Sequence, residues 1–199
     1  MSTALYWFRN DLRLHDNPAL ARACAQADGL LPVYCLGSAS AVHNGEPRWG
    51  VMQASPHRQR VLIDTLIDLD AQLRALGSAL TVVYGPPADI LPKLGAALGT
   101  QAVHCEIIAA THEQDELDQV RLAGMDVHGS WQSSLFAPET LPFAVADLPP
   151  VYSHFRRSLA KAGTLPATPL PALMRSKPLP AAAHGYATVN LARQLQDLG

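Results

Sequence analysis

The sequence is short of almost every device that would announce a function directly. No apolar run approaches the roughly 20 residues that a membrane-crossing helix needs. The N-terminus places Arg9, Asp11, Arg13 and Asp16 where a signal peptide would be apolar. These absences predict a soluble, cytoplasmic protein with no membrane partner. Cysteine is scarce, and the odd set Cys24, Cys35 and Cys105 suits small core side chains in a reducing compartment better than a disulfide framework. Positive charge is not in excess: the formal net charge is -2, so no general field draws the molecule onto a phosphate backbone, and no direct nucleic-acid binding is expected. The nucleotide fingerprints are missing too, with no G-x-G-x-x-G after the first strand and no G-x-x-x-x-G-K-[ST]. Eight histidines contain no H-E-x-x-H, and His104 and Cys105, adjacent on one strand, point to opposite faces, so no metal site is read. A G-x-S-x-G nucleophile elbow is absent as well.

What is there is a core. With 48% hydrophobic and 16% charged side chains over 199 residues, the chain can bury one sizeable core and carry an appendage. Residues 4–8 form a short unbroken apolar run, 30–36 and 80–84 read likewise as buried strands, 102–108 is read as a fourth strand and 125–128 as a fifth. Such runs suit strands buried on both faces of a parallel sheet. Helices are predicted between them. Asn17-Pro18 and Ser55-Pro56 each combine a cap with a proline that has no N–H to waste. The first opens a helix to about residue 27. The second opens a long one in which Leu62, Leu66, Leu69, Leu73 and Leu76 make a single apolar stripe closed by Gly77. A short helix is expected over 89–98 and another from Thr111 to about 123, the latter with a capping box in which the Thr111 hydroxyl and the Gln114 amide satisfy each other's backbone donors. Strict strand–helix alternation gives a doubly wound α/β fold with a five-stranded parallel sheet.

Ligands in such folds bind beyond the carboxyl ends of the strands, which directs attention to the loops at 9–16, 37–55, 85–87 and 109–114. The loop at 37–49 is long and rich in Gly, Ser, Asn and Pro. In 9–16, two arginines and two aspartates can serve as a salt-bridged brace for the loop or as part of a working site. After Trp131 the periodicity fades. A helix is expected over 152–162, an extended proline-rich strap over 164–180, and a last helix over 188–198.

The segment Trp7-Phe8-Arg9-Asn10-Asp11-Leu12-Arg13-Leu14-His15-Asp16-Asn17-Pro18-Ala19-Leu20 closely resembles the opening motif of the photolyase/cryptochrome family. Trp131-Gln132-Ser133-Ser134-Leu135-Phe136, then Leu141-Pro142-Phe143, then Val151-Tyr152-Ser153-His154-Phe155-Arg156-Arg157 resemble the end of the α/β domain in the cryptochrome-DASH group. The likeness covers about residues 3–160. The stretch 46–57 departs from the DASH pattern, which has a lysine, a threonine and a glycine near residues 52–55.

The resemblance implies a Rossmann-like photolyase N-terminal domain over 1–135, a proline-rich strap with a short helix over 136–185, and a C-terminal helix over 186–199. It also implies a small-molecule antenna chromophore, methenyltetrahydrofolate or a deazaflavin or FMN, that passes light energy to FAD held in a following all-helical domain. Glu113 matches the family's acidic residue that hydrogen-bonds the pterin, with Gln114 beside it. A carboxylate can accept bidentate bonds from a pterin amino group and ring N–H, while a first-turn Glu is also favoured by the helix dipole alone. The chain is related by this likeness to deoxyribodipyrimidine photo-lyases. On the same grounds it is expected not to bind FAD and to be inactive alone, meeting a flavin domain in cis or in trans. Two other readings stand beside this one: a nucleotide-binding domain of the adenine-nucleotide hydrolase type, and an interaction module that has lost its ligand.

Overall fold

The computed structural model describes residues 2–37 and 56–186. The expected loop beyond residue 37, the cap at Ser55, most of the departing stretch 46–57 and the helix over 188–198 lie outside the described residues.

Five strands, β1 (Thr3–Phe8), β2 (Gly29–Leu36), β3 (Thr81–Tyr84), β4 (Ala102–Ile107) and β5 (Asp126–Trp131), form one sheet in the order β3-β2-β1-β4-β5, every pairing parallel. Helices α1 (Pro18–Gln26) and α2 (Pro56–Ala75) cover one face, α3 (Pro87–Leu98) and α4 (Thr111–Leu122) the other. The doubly wound architecture expected from the alternation of apolar runs is the one observed.

The pleat explains why β1 shows no polar alternation. Ala4, Tyr6 and Phe8 pack with Leu20 and Ala23 of α1 and Leu66, Leu69 and Leu73 of α2. Leu5 and Trp7 pack on the opposite face with Leu91 and Leu94 of α3 and Leu117 and Val120 of α4. Each fully buried Leu of the α2 stripe contributes about 1.5–3 kcal/mol. The Asn17 side chain accepts from Leu20 N at 3.0 Å, with Pro18 opening α1. Gly77 takes the left-handed φ of 80° just past α2, as its position implied.

Strand β5 differs from its expected span of 125–128. It starts one residue later and runs to Trp131, because Gly129 and Ser130 continue the ladder opposite Cys105 and Glu106. Glycine is required there by packing: a Cβ at 129 would lie 2.5 Å from Ile107 Cγ1. The expected helix over 152–162 is α5 (Tyr152–Ala162), preceded by two 3₁₀ turns. The proline-rich segment then crosses the domain. Leu170 N donates to Asp16 Oδ1 at 3.1 Å and Asp16 N donates to the Leu170 carbonyl at 3.0 Å. Farther on, Leu30 N donates to the Pro178 carbonyl at 3.1 Å. Among the described residues no helix is long and apolar enough to cross a membrane.

Candidate functional site

Strand order reverses between β1 and β4, so the carboxyl ends of these two strands are where an α/β sheet opens a crevice. Arg9, the residue after β1, fills it. Its side chain has no exposure and lies 4.7 Å from the Trp7 ring centroid. The guanidinium donates to the Glu106 carbonyl at 3.2 Å, the Glu113 carbonyl at 2.8 Å and Glu116 Oε2 at 3.2 Å. One buried cation thereby ties β1 to β4 and to the first two turns of α4.

The reading of 9–16 as a salt-bridged brace needs correction. None of its four charges pairs with another. Arg9 reaches Glu116 instead. Arg13 spends its guanidinium on carbonyls, those of Asp16 at 2.9 Å and Gln132 at 3.2 Å. Asp11 receives the Tyr6 hydroxyl, Arg9 N at 3.0 Å, Asn17 Nδ2 at 3.2 Å and Gln132 Nε2 at 2.7 Å. A buried carboxylate is tolerable when several donors face it. The Tyr6 phenol is held well above its usual range, first by burial and then by the Asp11 charge. Gln132, Tyr6, Glu106 and Glu116 were not singled out from sequence as site residues. Gln132 alone carried a signal, its place in the Trp131-Gln132-Ser133-Ser134 motif.

Glu113 and Gln114 lie in the first turn of α4, both half-buried. The capping box expected there does not form: Ala110 is the N-cap, with no side-chain cap bond. The Gln114 amide donates instead to the Ile108 carbonyl at the end of β4, which competes for the group a capping box would use. Glu113 is positioned through its backbone, its carbonyl held by Arg9. The residue lies in the first turn of α4, shortly after the carboxyl end of β4.

A cleft of about 570 Å³ opens over the carboxyl ends of β1 and β2 and the start of α2. Tyr34, Leu12, Val61 and Leu62 give it apolar walls, and Arg13, His57 and Arg58 bring cations and hydrogen-bond donors. Neither Glu113 nor Gln114 lines it. Such a mixture suits a flat heteroaromatic ring with polar edges.

On the α1 face of β4 and β5, His104 and His128 sit opposite each other in register with rings stacked 4.7 Å apart. Burial, then the neighbouring His128, lowers the His104 pKa to about 4. His128 itself meets Asp126 at 3.0 Å. Among the described residues no cluster of three or more His, Cys, Asp or Glu could hold a metal.

Comparison with known proteins agrees with this fold. The family model for DNA photolyase matches residues 4–175. A cryptochrome DASH from Gloeobacter violaceus is 33% identical over 201 residues, covering 99% of this chain and 38% of its own. The blue-light photoreceptor PHR2 of Arabidopsis thaliana is 33% identical over 162 residues, covering 79% and 36%. The solved cryptochrome of Synechocystis sp. PCC6803 superposes with a TM-score of 0.81 at 27% identity, covering 90% of this chain and 37% of that one. An archaeal photolyase from Sulfolobus tokodaii, solved with two FAD molecules, shares the fold at a TM-score of 0.75 and 18% identity, covering 98% and 41%. The chain spans less than two-fifths of the length of these two curated relatives. With most of its residues matched and its sheet shared with solved members, the chain belongs to the DNA photolyase family, of which it carries the N-terminal α/β domain.

Proposed function

We propose that this chain is the antenna-chromophore-binding part of a photolyase or cryptochrome and performs no repair chemistry by itself. The observation that carries the reading is the cleft at the strand ends, where Tyr34 and aliphatic side chains face Arg13, His57 and Arg58. Glu113 and Gln114 would hold the edge of a pterin such as methenyltetrahydrofolate, with Glu113 accepting from ring donors. The cleft residues would hold a deazaflavin or FMN. Either group, when bound, supplies absorption in the near-ultraviolet or blue. The protein's own contribution is to orient a flat ring and keep water from it.

The partner in this reading is a flavin domain, in cis or in trans. An apolar groove of about 880 Å³ between the segment after β5 and α5, lined by Leu135, Phe136, Leu141, Leu148 and Phe155, supports a docking role for that side of the molecule.

An absorption spectrum after incubation with each candidate chromophore tests the proposal. Retained absorbance beyond the protein band after gel filtration supports it, and a bare protein spectrum with all of them rejects it. Folate binding is expected to be weak, above micromolar Kd, because in the family the folate lies between two domains. Illuminated chain, with or without added FAD, is expected to leave pyrimidine dimers intact; dimer loss above a protein-free control rejects the claim of inactivity.

A further inference from the structure

Asp16 closes the loop between β1 and α1 in a conformation that local energetics do not favour. Its φ of 46° lies in the left-handed region, where every other described residue is a glycine. Asp and Asn tolerate that region better than most residues with a side chain, and such a residue persists where bonds from outside hold it. Here they come from two directions. On one side is the strap: Asp16 N donates to the Leu170 carbonyl at 3.0 Å, and Leu170 N donates to Asp16 Oδ1 at 3.1 Å. On the other is Arg13, whose Nε and Nη2 donate to the Asp16 carbonyl at 3.2 and 2.9 Å.

Arg13 is in turn part of the wall of the strand-end cleft. Its Nη2 also donates to the Gln132 carbonyl at 3.2 Å, and its own backbone carbonyl accepts from Asn17 Nδ2 at 3.0 Å. The guanidinium is thereby held through Nε and Nη2, while Nη1 bonds no described residue. Nor does Arg13 close an ion pair with any described residue. A half-buried cation, oriented by carbonyls and neutralised by no carboxylate, suits an acceptor or anionic group on a ligand. Its aim depends on where the Asp16 carbonyl stands, and that depends on the strap.

We propose that Asp16 is a positioning residue for the cleft, which couples the seating of the strap at Leu170 to the orientation of the Arg13 guanidinium. The ligand-binding half of this inference rests on the reading of the cleft as a chromophore site. The coupling of strap to Arg13 rests on the hydrogen bonds alone. Leu170 stands between Pro169 and Pro171, and a following proline confines a residue to extended backbone. The strap therefore meets Asp16 as a preformed edge. Undocking it frees the Asp16 carbonyl to turn, and the cleft loses its oriented cation.

Four forms of the full chain test this: wild type, Asp16→Asn, Asp16→Ala and Leu170→Pro. Asn keeps an oxygen for the Leu170 N–H and tolerates the left-handed φ, whereas Ala does neither. Leu170→Pro removes the strap's donor without touching the loop, at a position already confined to extended backbone. FMN is the probe. Its Kd, read from quenching of the flavin fluorescence, should rise roughly three- to tenfold in Asp16→Ala and in Leu170→Pro, the effect of one hydrogen bond no longer oriented, and stay within about twofold in Asp16→Asn. A second readout needs no ligand. Hydrogen exchange of the Arg13 Nε–H, followed by nitrogen-15 NMR, should be slow in wild type and Asp16→Asn and faster in the other two. A wild type that binds no FMN overturns the ligand-binding half together with the cleft reading, and the exchange rates still decide the coupling. Unchanged exchange in Leu170→Pro overturns the coupling. Faster exchange with unchanged FMN affinity overturns the positioning role and makes Asp16 a turn residue only.

Discussion

Gln132 Nε2 donates to Asp11 Oδ2 at 2.7 Å across 121 residues of chain. Its other bonds extend the joint: Nε2 also reaches Asn17 Oδ1 at 3.0 Å, and Oε1 accepts from Ala19 N at 2.9 Å. The two stretches that carry the family resemblance, one opening the domain and one closing its sheet, are thus one hydrogen-bonded unit around α1's N-terminus. The motif is a structural joint around the start of α1.

Gln132→Ala should therefore be costly for a residue in an irregular segment. It strips a donor from Asp11 and leaves the Ala19 N–H without an acceptor. At about 1–3 kcal/mol per unpaired buried group, a loss of roughly 2–4 kcal/mol is expected. Urea denaturation should show a lower midpoint with an unchanged slope.

Arg9→Lys should fail to rescue what Arg9→Met destroys. The guanidinium serves two carbonyls and one carboxylate in different directions, and an ammonium cannot reproduce that fork. Removing the charge takes from the buried Glu116 the guanidinium it pairs with, and breaking a buried pair typically costs about 3–5 kcal/mol. Thermal melts of both variants would check it, with Lys recovering less than half of the loss.

Glu113→Gln separates ligand binding from stability. If the carboxylate accepts from a pterin-like ring, losing one charge-assisted bond at about 1.5–3 kcal/mol lowers affinity by roughly tenfold to a hundredfold. The melting point should barely move, because the first-turn dipole contribution is about 0.3–1 kcal/mol. Unchanged affinity together with a small melting shift would assign Glu113 to the helix alone.

His104 predicts an acid limb in the stability curve. Its folded pKa of about 4 lies below the ordinary 6.5, so the fold prefers the neutral ring. That stability is present above pH 6.5 and is lost as pH falls through about 4. At 1.36 kcal/mol per unit the full loss is about 3 kcal/mol. His104→Gln should flatten this limb relative to wild type in denaturation curves collected between those values.

The sequence by itself determined the elements of the fold and the class they build. Unbroken apolar runs made β1 and β2 buried strands, Asn17-Pro18 started α1, and the leucine stripe aimed α2 at the sheet. These signals are local, because hydrophobic period and cap chemistry act within a turn or two. The tertiary structure alone decided which polar groups meet. Arg9 passed over the aspartates nearest in sequence for Glu116, 107 residues away. Gln114 turned from its expected cap to the Ile108 carbonyl, and β5 ran on through Gly129 because Ile107 occupied the space of a side chain. A polar side chain has several local partners of similar energy, and the choice falls to whichever arrangement leaves the fewest buried groups unsatisfied. That condition depends on which strands become neighbours, and neighbours are set only when the sheet closes around its core.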